Sequence, residues 1–217
     1  MNLPCVIALI ACPTACGGRA AEPRWRHLSS STGDLPVPGT SMEQTGALVA
    51  DLDRDGTNDF VISFRKVAPA LFWYRRTPAG WDRYVIEPDF LTVEAGGAVY
   101  DIDGDGNPDL VFGGDSQSSE VWWWENPYPK FEPATRWKRH IIKKGGATQH
   151  HDQVFGDFLG LGKPQLAFWN QGAKKIFLAK IPGDPRRVFE QVSGSLLTPP
   201  GRAGKGPSRR TLTRSLL

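Results

Sequence analysis

Nine residues, Asp101-Ile102-Asp103-Gly104-Asp105-Gly106-Asn107-Pro108-Asp109, place carboxylates at positions one, three, five and nine and a glycine at six. The glycine permits a sharp turn that aims the acids at one point, where four anionic groups repel one another unless a cation sits among them. An all-oxygen set completed by the backbone carbonyl at position seven suits Ca²⁺ better than Zn²⁺ or a soft metal. The same pattern stands fifty residues earlier in Asp51-Leu52-Asp53-Arg54-Asp55-Gly56-Thr57-Asn58-Asp59. Candidate metal ligands are therefore Asp51, Asp53, Asp55, Thr57 and Asp59 in the first loop, and Asp101, Asp103, Asp105, Asn107 and Asp109 in the second. A third, worn copy opens at Asp157 and keeps Gly162 and Pro164, but Leu159, Leu161 and Gln165 replace three acids. That copy is expected to keep the turn, to be held by apolar packing and to take no ion.

An EF-hand loop also begins D-x-D-x-D-G, but it needs a bidentate Glu at position twelve and a helix on each side. Here position twelve is Ile62 or Phe112, and the flanking runs are short, β-branched and aromatic. Those flanks read as strands.

The elements that position the loops recur with them. Trp25-Arg26-His27-Leu28, Trp81-Asp82-Arg83-Tyr84-Val85-Ile86 and Trp137-Lys138-Arg139-His140-Ile141-Ile142 share a Trp, basic and aromatic or His residues, then aliphatics. The last two begin twenty residues before the next loop aspartate and the first twenty-six before, which argues for an insertion at Pro36–Gly39. In the first unit the strand runs are 47–50, 60–64, 71–75 and 81–86; in the second they are 97–100, 110–112, 121–125 and 137–142. The third unit has runs at 153–156, 166–169 and 175–181, with 188–192 as a fourth. Four strands per unit of about fifty residues predict an all-β protein made of β-propeller blades of four antiparallel strands. About three blades are present, with a stray strand at Trp25–Ser29, so the propeller is incomplete and open.

The D-x-D-x-D-G-x-x-D loop between two strands, repeated once per blade, resembles the FG-GAP or VCBS repeat, a family found in integrin α-subunit heads, some lectins and many exported bacterial proteins. The resemblance covers about Trp25 to Val192 and is specific in two copies of three. It implies a propeller with Ca²⁺ in the loop between the first and second strands of a blade. It implies no enzyme, because propellers host many unrelated functions.

Two further groups of residues invite a functional reading. Trp122-Trp123-Trp124, matched by Phe72-Trp73-Tyr74, tempt a sugar-platform assignment. An interior blade is covered on both faces, however, so an apolar strand there is expected to pack. The loops leading into each first strand carry Glu43-Gln44, Glu94 and His150-His151-Asp152. In a propeller these loops gather at one end of the channel, opposite the calcium loops. Glu43, Glu94, His150, His151 and Asp152 are therefore the candidate ligand-binding residues, with no catalytic residue assigned.

Composition bounds the rest. The chain of 217 residues is rich in Gly, Pro and Trp and has no apolar run of a membrane-spanning length of about eighteen residues. Its net charge is +3, yet from Gln191 onward five cations stand without an acid, which leaves −2 for the remainder and argues against nucleic-acid binding by the folded part. Cys5, Cys12 and Cys16 are the only cysteines, so the folded region holds no disulfide framework. Residues 1–21 resemble a secretory signal, and Leu9-Ile10-Ala11-Cys12 a bacterial lipobox, which places the chain outside the cytoplasm, secreted, periplasmic or lipid-anchored. Residues 22–192 form the repeat region and 193–217 a disordered basic tail. The sum is an exported, calcium-stabilised, non-catalytic binding module for a glycan or protein ligand at the cell surface, open to self-association through its sheet edge. The alternatives are a fragment of a carbohydrate-active enzyme such as a polysaccharide lyase, or a truncated product with no function of its own.

Overall fold

A computed structural model describes residues 25–132 and 135–193 of the chain. The expected leader, its three cysteines and the basic tail beyond Ser193 lie outside the described residues.

Among the described residues twelve strands make three sheets of four, each an antiparallel meander in chain order. Sheet 1 is β1 (Gln44–Ala50), β2 (Asp59–Phe64), β3 (Leu71–Thr77) and β4 (Gly80–Glu87). Sheet 2 is β5 (Ala98–Tyr100), β6 (Asp109–Gly113), β7 (Val121–Glu125) and β8 (Lys138–Lys143). Sheet 3 is β9 (His150–Gly156), β10 (Gln165–Asn170), β11 (Lys175–Lys180) and β12 (Glu190–Ser193). Each acidic loop joins the first strand of its sheet to the second, as the sequence spacing predicts. The strand positions agree with the sequence reading to within a few residues, because Gly, Pro and acid clusters punctuate both ends of each run.

The stray strand expected at Trp25–Ser29 is absent. Residues 25–29 have no regular structure and lead into a 3₁₀ turn, Ser30–Thr32, with Trp25 exposed to solvent. Ser29 caps that turn through its hydroxyl, which accepts from the Ser31 N–H at 3.1 Å, while Asp34 accepts the Ser29 N–H at 3.3 Å. Ser and Asp side chains offer the backbone these local bonds in place of a ladder, and they prevail here. The chain then crosses the outer half of sheet 1, where Leu35 packs on Phe72 and Tyr74 and the Tyr74 hydroxyl donates to the Pro36 carbonyl at 3.0 Å.

Sheet 2 is covered on both faces, and its central strands are accordingly apolar throughout. One core fills the space between sheets 1 and 2 and includes Val61, Trp73, Leu110, Phe112, Trp122 and Trp124. A second lies between sheets 2 and 3 and includes Val111, Trp123, Ile142, Leu166 and Phe168. Trp122, Trp123 and Trp124 are thus shared between the two cores, as a strand's alternation requires, and none of the three is more than 3% exposed. Trp73 stacks on Tyr84 at 4.8 Å, and Trp123 on His140 at 4.4 Å. The tryptophan row is core and not a sugar platform.

Between sheets, β1 lies against β5, and β9 lies against both β5 and β6. Two glycines permit that approach. A Cβ on Gly46 would lie 2.4 Å from the Gly96 carbonyl, and one on Gly96, whose φ is +94°, would lie 2.6 Å from the Asp152 nitrogen. Backbone meets backbone at both places, so neither neighbour can swing away. Gly46→Ala is expected to lower the free energy of unfolding by roughly 1–3 kcal/mol through overpacking, measured by denaturant titration. An unchanged midpoint would show that β1 and β5 tolerate a wider separation.

Candidate metal centres and the opposite polar loops

The two acidic loops fold alike. Asp51 accepts from the backbone N–H groups of Asp55 at 3.0 Å and Gly56 at 2.9 Å; Asp101 accepts from Gly104 at 2.9 Å and Gly106 at 3.0 Å. These bonds curl each loop around its first aspartate. Asp51, Asp53 and Asp59 then offer carboxylate oxygens within 4.8 Å of one another, and so do Asp101, Asp103 and Asp109. Asp55 and Asp105 stand outside these triads, exposed, and accept the N–H groups of Thr57 and Asn107, each at 2.8 Å. Three of the four acids expected in each set are therefore gathered, and the position-five acid instead closes a turn onto position seven.

The position-nine acids are the most deeply buried members, each 1% exposed. Asp59 accepts from the Leu52 N–H at 3.2 Å and the Arg76 N–H at 2.7 Å; Asp109 accepts from Ile102 and Asn126, both at 2.9 Å. Each carboxylate thus clamps its own loop to the third strand of the sheet or the residue just beyond it. Burial pushes Asp109 up to about 7, against the pull of its two N–H donors, and the charges of Asp103 and Asp105 push the same way. Asp59 and Asp103 are raised for the same leading reason. A cation in either triad would oppose this destabilisation of the ionised forms directly.

The surroundings of the triads differ. Asp53 is ion-paired with Arg75 of β3, while Asp103 lies 3.6 Å from Arg186, which also reaches Glu125 at 3.1 Å. Arg75 therefore competes for the first triad, and Glu125 adds a carboxylate beside the second. Asn126 joins the two loops: its side-chain amide donates to the Leu52 carbonyl of the first and the Pro108 carbonyl of the second, each at 3.0 Å. Arg54 makes a further link, donating to the Asn107 side chain at 3.3 Å. Neither Asn126 nor the arginines stood out in the sequence; the Asn-Pro step that ends β7 is the only local sign of the first.

The worn loop keeps the turn. Asp157 accepts from Leu161 at 2.9 Å and Gly162 at 2.8 Å, and Gln165 accepts from the Leu159 N–H at 3.0 Å, which replaces the loop-side bond of the position-nine acid. Apolar packing does not hold it, contrary to expectation: Phe158 and Leu161 are exposed, and hydrogen bonds to Asp157 and Gln165 maintain the shape.

At the other end of the first strands the candidate ligand residues separate into three environments. Arg65 joins Glu43 at 3.1 Å to Glu94 at 3.3 Å, and Gln149 donates to the other oxygen of Glu94 at 3.0 Å. His151 is bound to Asp152 at 2.6 Å and to Gln171 at 3.1 Å, on the surface. His150 is fully enclosed, its Nε2 accepting from the Asn170 amide at 2.7 Å and its Nδ1 without a partner among the described residues. Burial, aided by the Lys143 charge, pushes His150 down to about 4. The structure unites Glu43 and Glu94 through an arginine that sequence reasoning missed. It keeps half-buried His151 and exposed Asp152 as a separate pair and removes His150 from any surface site. No known protein family matches the sequence, and no curated protein shows significant similarity to it.

Two outcomes follow from this geometry. Asn126→Ala strands the buried Leu52 carbonyl and the partly buried Pro108 carbonyl and is expected to cost roughly 1–3 kcal/mol, read from chemical unfolding. The folded chain holds His150 neutral, so its contribution is fully present above the ordinary value of 6.5 and is lost as pH falls toward about 4. Compared with His150→Gln, the parent chain should lose on the order of 3 kcal/mol more across that interval, measured as unfolding free energy against pH. Parallel profiles would show that His150 protonates freely in the fold.

Proposed function

We propose that this chain is an exported, non-catalytic binding module in which three blades of an incomplete β-propeller are stabilised by Ca²⁺. The observation that carries this reading is the recurrence of one arrangement, an acid triad backed by a buried, backbone-clamped aspartate, at the same place in two sheets of identical strand order. The packing of β1 beside β5 and β5 beside β9 supports the blade reading, since first strands of blades line a common axis. Oxygen-only donors without His or Cys favour a hard cation, and extracellular modules of this chemistry bind calcium with dissociation constants on the order of 10⁻⁴–10⁻³ M. An extracytoplasmic setting supplies the ion at that concentration. Ligand binding is assigned to the opposite end, where the Glu43–Arg65–Glu94 network and the His151–Asp152 pair present fixed donors and acceptors of the kind that glycan hydroxyls or a polar protein surface would meet.

Calorimetric titration of the calcium-free chain tests the metal assignment. Two ions are expected, the loop at Asp51 binding more weakly because Arg75 already neutralises Asp53. Asp101→Asn should abolish the tighter step, Arg75→Gln should strengthen the weaker one, and chelation should lower the melting temperature. A titration without calcium-specific heat, and a melting temperature indifferent to chelation, would sink the proposal.

A further inference from the structure

The sheets meet front to back. The front row of sheet 1, Leu48–Val61–Trp73–Tyr84, faces sheet 2, and the equivalent row of sheet 2, Ala98–Val111–Trp123, faces sheet 3. The receiving rows are Val99–Leu110–Trp124 of sheet 2 and Phe155–Leu166–Ala179 of sheet 3. Among the described residues one row of each kind is left over. Sheet 3 presents the front row Val154–Ala167–Leu178–Val192, whose central Ala167 and Leu178 are buried while Val154 and the adjoining Ile176 are each 51% exposed. Sheet 1 presents the receiving row Val49–Phe60–Tyr74, with Val49 67% exposed. Leu35 and Pro36 cover the β3–β4 half of that face and leave Ala47 and Val49 of β1 exposed and Phe60 and Ile62 of β2 half-buried.

We infer that the front face of sheet 3 docks on the β1–β2 half of the receiving face of sheet 1 in a second copy of this chain, and that two copies joined so at both ends close a ring of six sheets. The second copy is the occupant because it carries the receiving row left over among the described residues, equivalent strand by strand to those that the front rows of sheets 1 and 2 already meet. The contact is head to tail, and such contacts close when their rotation divides a full turn. Six sheets fall within the range of about four to eight blades that close a propeller. Isolated copies leave Val49 at one face and Val154 and Ile176 at the other exposed to water, and docking removes these together. The inference rests on the blade reading given under the proposed function.

Sedimentation of the full chain in calcium tests it with one lysine on each face, Ala47→Lys and Ile176→Lys, both at exposed positions. The parent chain is expected at the mass of two copies, and each variant at the mass of one with an unchanged circular dichroism spectrum. Mixing the variants should restore the two-copy species, because the unaltered sheet 3 of one meets the unaltered sheet 1 of the other. A parent chain at the mass of one copy, a dimer that survives Ala47→Lys, or no recovery on mixing would overturn the inference. Calcium titration of the single-copy variants separates this from the reading beneath it. Two calcium steps with a monomeric parent would remove only the docking, and a dimer without calcium heat would remove only the metal assignment.

Discussion

A buried carboxylate must have its oxygens met, and in this chain that requirement organises both acidic loops. Asp59 and Asp109 each accept one N–H from the loop that precedes them and one from the far end of the sheet's third strand or just past it. Replacing either by an apolar residue would free its two N–H donors in a buried setting. The loop path, the start of the second strand and the end of the third are therefore set by one side chain. Gln165 makes the comparable bond in sheet 3, which explains why that loop keeps its turn after losing three acids.

The same clamps shape the electrostatics. Holding a carboxylate away from solvent beside two others raises the cost of its charge, and the chain meets that cost differently in its two triads. Arg75 lies within the first sheet and pairs with Asp53, while Arg186 comes from the loop between β11 and β12 to reach Asp103. The second triad thus draws its ion-pairing guanidinium from a loop of the neighbouring sheet 3. Under the calcium proposal, an ion there would relieve Arg186 of that partner and leave it to Glu125.

Much of the fold was legible because its signals are local. Acidic loops with a glycine at position six mark where first strands stop and second strands start, and alternating aromatic runs mark which strands pack on both faces. What escaped the sequence is long-range. Asn126 meets a carbonyl 74 residues away, Arg65 reaches Glu94 across 29 residues, and Asn170 contacts His150 across 20. No periodicity encodes such pairs. Trp25 misled for the opposite reason: its Trp-basic-aliphatic pattern matches that of β4 and β8, but no strand runs beside it to complete a ladder. Composition likewise placed Leu161 in a packed loop, where hydrogen bonds to Asp157 already hold the chain.

The serial stacking of the sheets bears on how the molecule opens. Sheet 2 contributes to both cores, whereas each outer sheet contributes to only one of these two. Cooperative units linked only to nearest neighbours behave as a one-dimensional array, in which an end member can detach without dissolving the middle. Amide hydrogens of β6 and β7 should then exchange with solvent only through global unfolding, while those of β11 and β12 escape through a cheaper, partial excursion. The tryptophan triplet, besides filling space, makes the central sheet the last part of the molecule to let deuterium in.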